Sequence, residues 1–228
     1  VWVPKVKFCG ITTLEDARLA VDAGAWAIGL IFWPRSPRRC ELDAAAEITA
    51  ALRRRVEIAG VFVNATLEHV AQVAQALDLS MVQLHGDEGP AFCAEAGRRT
   101  GCKVIKAMRV RSGADIQALA GFHTDYHLLD SYLRGVPGGT GETFAWELAR
   151  EHRGSAPVIL SGGLTPDNVA EAIEAVRPFA VDVASGTERD GGPPARKDPD
   201  KLAAFAAAVA GAHAPQPPRP HAPTGSRS

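Results

Sequence analysis

Apolar residues along the chain fall into two alternating kinds of run. Short runs rich in Val, Ile and Leu are apolar at nearly every position, whereas longer stretches between them carry apolar residues every three or four places among Ala, Glu and Arg. The first kind predicts strands buried on both faces, because a half-exposed strand alternates apolar and polar side chains; the second predicts amphipathic helices. Strands are predicted at Val3–Phe8, Ala27–Phe32, Ile58–Val63, Met81–Leu84, Lys103–Ala107, Tyr126–Leu129, Val158–Leu160 and Ala180–Val183, with helices filling most gaps until about residue 210.

Alternation of this kind predicts a parallel α/β sheet covered by helices, and a strand count near eight predicts closure into a (β/α)8 TIM barrel. The rival is an open doubly wound sheet. No Gly-x-Gly-x-x-Gly follows the first strand, however, and no acidic residue stands where a ribose would need it. The expectation is one barrel domain over residues 1–211. Two segments fall outside the repeat: a Gly- and Pro-rich stretch from Arg189 to Asp198, read as an enlarged loop at the barrel mouth, and a tail over residues 212–228 with five prolines, read as disordered.

Composition narrows the function. At 228 residues and 46% apolar content the chain can bury one sizeable core. Its 25 basic and 26 acidic side chains leave a formal charge of -1, so no built-in attraction to nucleic acid or an anionic membrane is expected. Val1 to Phe8 is too short and too interrupted to read as a signal peptide, and no run is long and apolar enough for a membrane helix. Cys9, Cys40, Cys93 and Cys102 show no disulfide framework or metal-ligand spacing. A cytoplasmic protein acting on a small molecule, with no metal site, is the reading these features support.

Candidate chemistry collects where strands end: Cys9 after the first, Gln83 and His85 at the fourth, Asp130 at the sixth, Ser161 at the seventh and Ser185 at the eighth. In a barrel such positions converge, and core packing alone does not call for so many polar groups, which cost free energy when buried unpaired. Lys7 and Cys9 share a strand face, with Cα atoms roughly 6–7 Å apart. A cation there favours the thiolate. Lys7 can equally pair with Asp182 on the last strand, which neighbours the first in a closed barrel; that pairing is the reading we favour, and it weakens any activation of Cys9. Taken alone, Cys9 reads first as an inert buried thiol, whereas Asp130 reads as readily as a loop-capping carboxylate and His85 as a core histidine. If buried at the mouth, Asp130 would have a raised pKa, as a general acid needs.

Two glycine turns suggest anion binding. Ser161-Gly162-Gly163-Leu164 precedes Thr165 and Pro166, predicted as N-cap and first residue of a helix, and Ser185-Gly186-Thr187 follows the eighth strand. Loops after strands seven and eight form the usual phosphate cradle of barrels, so Gly162, Gly163, Ser185 and Gly186 are the candidate phosphate contacts. Gly138-Gly139-Thr140-Gly141 lacks the Lys-Ser/Thr ending of a nucleotide loop and reads as a lid that adds Gly141 to the cradle.

Lys7-Phe8-Cys9-Gly10-Ile11-Thr12 resembles the signature that opens phosphoribosylanthranilate isomerases. Phe32-Trp33-Pro34-Arg35-Ser36-Pro37-Arg38, Val82-Gln83-Leu84-His85-Gly86, Leu128-Leu129-Asp130 with its later glycine run, Leu160-Ser161-Gly162-Gly163-Leu164 and Val181-Asp182-Val183-Ala184-Ser185-Gly186 follow in the same order. The resemblance spans about Val3 to Ala210. It implies that Cys9 is a general base, Asp130 a general acid, and Arg38 the cation for an anthranilate carboxylate, with Gln83 and His85 lining the substrate pocket. The implied reaction is an Amadori rearrangement of a phosphosugar substrate in tryptophan biosynthesis, carried out by a monomer or homodimer. Substrate nitrogen is its electron sink, so no cofactor is called for. Ala184 stands where serine is common in this family, Trp33 replaces a smaller aromatic, and the 189–198 loop is longer than usual. The related histidine-pathway isomerases resemble duplicated barrels with aspartate ending the first strand, which Cys9 argues against. A barrel retaining only sugar-phosphate binding is the non-enzymatic alternative, and the presence of both acid and base argues against it.

Overall fold

A computed structural model describes residues 3–130, 146–191 and 195–212. In chain order its elements are β1 (Lys5–Cys9), α1 (Leu14–Asp22), β2 (Ala27–Ile31), α2 (Leu42–Leu52), β3 (Glu57–Phe62), α3 (Leu67–Ala76), β4 (Met81–Leu84), α4 (Pro90–Thr100), β5 (Lys103–Arg109) and α5 (Gly113–Ala118). There follow β6 (Tyr126–Asp130), helical residues 146–149 (α6), β7 (Val158–Ser161), α7 (Val169–Val176), β8 (Ala180–Val183) and α8 (Pro199–Gly211). All eight strands are parallel and close into a barrel in sequence order, β8 pairing back onto β1. The expected (β/α)8 architecture is therefore present, and α8 ends at Gly211. The predicted tail, and Gly141 within the predicted lid, lie outside the described residues.

Why the strands are apolar on both faces is visible in the two cores. Outward-facing Phe8, Ile28, Leu30, Phe62, Val82, Leu129, Leu160 and Val181 pack against helix residues such as Ala17, Ile48, Val70, Ile173 and Phe205. Inward-facing Ala27, Ala59, Met81, Ile105, Ala107, Leu128, Ile159 and Ala180 fill the interior, small residues making room for large ones as barrel layers require. Below them Trp26, Tyr126 and Phe179 close the N-terminal end, their rings 5.3–5.5 Å apart, with the Lys5 ammonium over two of the rings. Above them the inward positions turn polar, which places the chemistry at the C-terminal end.

Local signals fix the helices. Thr13 and Thr66 cap α1 and α3 by accepting from Asp16 and His69 amides, and Asp198 caps α8 with Pro199 at its first position. The helix after β7 departs from expectation: it begins at Val169, and Thr165 is not its cap. Asn168 is the reason, since its side chain accepts from the Thr165 amide and donates to the Gly163 carbonyl, holding residues 163–168 as a turn before the helix starts.

Loops after β3 and β4 are tied together beneath the rim. Lys106, buried on the outer face of β5, donates to the Gly86 carbonyl at 2.7 Å and to Glu88 at 3.2 Å. Glu88 in turn accepts from the amides of Asn64 and Gly86. Replacing Lys106 by Met strands a buried carboxylate and is expected to lower the unfolding free energy by about 3 kcal/mol, the low end for such pairs because the two amides remain. Urea denaturation checks this: the midpoint should fall with an unchanged slope, and a loss below about 0.5 kcal/mol, the range of ordinary surface changes, contradicts it.

Candidate active site

The C-terminal ends of the strands surround a cavity of about 520 Å³. Cys9, Ile31, Val61, Gln83, His85, Asp130, Ser161 and Asp182 line it, each at an inward position of its strand or just beyond the strand end, together with Arg38 and the loops after β7 and β8. A second hollow of about 330 Å³ opens near the opposite end, between Arg150, His152, Pro157, Arg177 and Phe179. The polar strand ends face away from it, so the C-terminal cavity is the candidate site.

Cys9 sits deep in the wall, only 5% exposed. Gly29, its register partner on β2, makes the space: a Cβ there would stand 2.6 Å from Cys9 Sγ and 3.1 Å from Lys7 Nζ. Lys7 is fully buried and donates to Asp182 Oδ1 at 2.6 Å across the β1–β8 seam, and Ser161 donates to Asp182 Oδ2 at 3.0 Å. The favoured sequence reading, pairing of Lys7 with Asp182, is thus the arrangement found. Its consequence is electrostatic. Burial pushes the Cys9 thiol above its ordinary pKa; Lys7 and Lys197 pull it down but do not outweigh burial, and Asp182 adds to the rise. Burial works against the Lys7 charge as well, yet Asp182 and Cys9 carry its pKa above the usual value.

On the far wall, His85 Nε2 lies 3.5 Å from Asp130 Oδ2, and Gln83 Nε2 lies 3.0 Å from His85 Nδ1. The two ring nitrogens of His85 thus face Gln83 and Asp130 respectively. Asp130 is 18% exposed, less enclosed than Cys9. Gln83 Oε1 is buried without a partner among the described residues, an acceptor aimed at the cavity.

Arg38 reaches the cavity from the loop after β2. Its stem passes over Gly10, where a Cβ would come 2.8 Å from Arg38 Cδ. The guanidinium is gripped by Glu188, Nε to Oε1 at 2.5 Å and Nη2 to Oε2 at 3.0 Å, which leaves Nη1 outside the pair. Hydrogen bonding to Glu188 raises the Arg38 pKa; burial raises Glu188, but Arg38 and Lys197 together hold it below its ordinary value. Lys197 is itself fully buried, 2.8 Å from the Ala184 carbonyl and 3.6 Å from Glu188 Oε1, and burial lowers its pKa against the pull of Glu188. Neither Glu188 nor Lys197 stood out in the sequence, where the Gly/Pro stretch between them reads as plain loop. An antiparallel bridge between the two brings them together.

The glycine turns also meet. Gly162 and Gly163 take φ of 101° and 65°, open to glycine at little cost. Gly186 lies against the loop after β7 so closely that a Cβ would fall 2.0 Å from the Leu164 carbonyl oxygen. Of the five expected phosphate contacts, Gly162, Gly163 and Ser185 line the cavity, Gly186 lies behind them against the Leu164 backbone, and Gly141 is outside the described residues. Among the described residues no group of His, Cys, Asp and Glu is arranged to hold a metal ion, and no helix is long and apolar enough to cross a membrane.

Comparison with known proteins places this geometry. A family model described as N-(5'phosphoribosyl)anthranilate (PRA) isomerase matches residues 6–208. The chain is 48% identical over 198 residues to the N-(5'-phosphoribosyl)anthranilate isomerase of Citrifermentans bemidjiense, covering 87% of this chain and 93% of that one. It is 49% identical over 205 residues to that of Pseudomonas fluorescens, covering 89% and 94%. Among solved structures, phosphoribosyl anthranilate isomerase from Thermotoga maritima superposes with a TM-score of 0.80 at 40% identity, over 91% of this chain and 99% of that one. A phosphoribosyl anthranilate isomerase in complex with reduced 1-(o-carboxyphenylamino)-1-deoxyribulose 5-phosphate superposes with a TM-score of 0.76 at 37% identity, again over 91% and 99%. From Val6 to Ala208, nearly the whole barrel, this chain belongs to the N-(5'-phosphoribosyl)anthranilate isomerase family.

Proposed function

We propose that the chain isomerises N-(5-phosphoribosyl)anthranilate to 1-(2-carboxyphenylamino)-1-deoxyribulose 5-phosphate, a step of tryptophan biosynthesis in the cytoplasm, with Cys9 as base and Asp130 as acid. The observation that carries this reading is that a thiol from β1 and a carboxyl from β6, three strands apart round the barrel, line one cavity whose floor is apolar and whose side is a glycine cradle. The cradle takes the phosphate through Gly162, Gly163, Ser185 and Gly186, with Gly141 completing it. Arg38 takes the anthranilate carboxylate through the N–H groups outside its pair with Glu188. Gln83 and His85 border the sugar, Gln83 Oε1 accepting from a hydroxyl.

In this pose the protonated Asp130 gives its proton to the ribose ring oxygen. The C1–O bond breaks towards oxygen while the nitrogen lone pair forms a C1=N iminium. Cys9 as thiolate then removes the C2 proton; the C2–H electrons form C1=C2 and the iminium pair returns to nitrogen. The enol-amine becomes the ketone when C1 takes a proton and the C2 hydroxyl loses one, which restores thiolate and carboxylic acid. Separation across the cavity keeps acid and base from exchanging their proton directly.

Cys9→Ala and Asp130→Asn should each lower kcat by about 10²–10⁴, the usual contribution of one acid or base, with circular dichroism unchanged. Loss of substrate fluorescence, with freshly made substrate, checks this; absence of turnover by the unmodified protein removes the isomerase reading altogether.

The base must be deprotonated to act, so kcat/KM rises with pH through the Cys9 pKa. Lys7 is a group that lowers that pKa, and Lys7→Met therefore moves the acid limb of the kcat/KM profile to higher pH. A limb that stays or moves down contradicts the assignment of Cys9.

Gly186→Ala forces apart the loops after β7 and β8. KM for the phosphorylated substrate and the dissociation constant for inorganic phosphate should both rise about tenfold, the scale of one charge-assisted hydrogen bond, with a smaller effect on kcat. Equal phosphate binding in variant and parent places the phosphate elsewhere.

A further inference from the structure

The grip of Glu188 on Arg38 raises a question that the isomerase reading leaves open. An Arg–Glu pair carries no net charge, and a second carboxylate brought to the same guanidinium meets the first at close range, where like charges repel. A site built only of Arg38 and Glu188 would therefore receive an aryl carboxylate poorly. The missing charge is present beneath it. Lys197 is fully buried, 3.6 Å from Glu188 Oε1 and 2.8 Å from the Ala184 carbonyl.

We infer that Lys197 is a specificity-determining residue for this substrate class: it compensates Glu188, so that Glu188 orients Arg38 without cancelling its charge and the cluster still accepts a carboxylated aryl group. The inference rests on the isomerase reading above. Two cations and one carboxylate leave the cluster one positive charge, which the substrate carboxylate then neutralises.

The arrangement is built rather than incidental. Glu188 and Lys197 face each other across an antiparallel bridge, flanked by hydrogen bonds from the Arg189 amide to the Arg196 carbonyl and from the Asp198 amide to the Thr187 carbonyl. Lys201 Nζ donates to the Glu188 carbonyl at 3.0 Å, fixing the backbone from which the carboxylate projects. Gly10 lets the Arg38 stem lie close to the end of β1, which sets the direction of the guanidinium from the other side. Lys197 is not itself part of the cavity lining, so it acts on the substrate through charge; its pull on the Cys9 pKa bears on both substrates of the test alike and cancels in their ratio.

The test compares two substrates that differ only in the carboxylate, N-(5-phosphoribosyl)anthranilate and N-(5-phosphoribosyl)aniline, using the full chain. Lys197→Met should lower the ratio of kcat/KM for the carboxylated over the decarboxylated substrate about tenfold, mainly through KM. Adding Glu188→Gln to Lys197→Met restores the net charge and should recover most of that ratio. Lys197→Gln, which keeps a donor for the Ala184 carbonyl, serves where the methionine variant does not fold and should lower the ratio likewise. General damage to the site slows both substrates together and leaves the ratio unmoved, which would overturn the inference. So would a double variant with a ratio no better than that of the single one. An unmodified protein that turns over neither substrate refutes the isomerase reading itself, a result distinct from an active protein whose ratio ignores Lys197.

Discussion

Closure of the sheet between its first and last strands is the constraint on which the site depends, and a buried charged contact spans it. Backbone register sets Lys7 opposite Asp182, and the ammonium and carboxylate meet at 2.6 Å inside the barrel. Neither partner can be lost alone without leaving a charge in a place that water does not reach. Because Cys9 lies two residues beyond Lys7 on the same face, and Asp182 two residues before Ala184 in the cavity wall, the pair stands between the thiol and the loop after β8.

Above that seam the interior changes character within a few residues. Aromatic rings plug the lower end, aliphatic side chains of mixed size fill the middle, and thiol, amide, imidazole and carboxyl groups occupy the top. The dry floor pushes the Cys9 thiol up and makes each remaining charge count for more than it would in water. Lys7 and Lys197 lower the Cys9 pKa without outweighing burial, and those cations are in turn held by Asp182 and Glu188.

Much of this was legible in the sequence. The strands were, because parallel strands under helices are apolar on both faces, and two of them, Met81–Leu84 and Ala180–Val183, have the predicted bounds. The fifth runs to Arg109, two residues past its predicted end, because Met108 and Arg109 still pair in register with Leu129 and Asp130. Cys9, Arg38, Gln83, His85, Asp130, Ser161 and the late glycines were readable as strand-end polar residues or motif positions, and the cavity brings them together. The start of α7 was misread because Thr165-Pro166 has the composition of a cap, whereas the contest is settled by Asn168. Glu188 and Lys197 were not legible at all: nine positions apart, across glycine and proline, nothing but the bridge makes them neighbours.

That bridge also bears on how much insertion the loop above it tolerates. A hairpin clasped at its base by backbone pairing and by two side chains shields whatever lies below from whatever is inserted above. Lengthening a loop already closed at its ends costs little, about 0.6 kcal/mol for each doubling. A longer excursion between Glu188 and Lys197 would therefore cost little while leaving the charges at its foot in place.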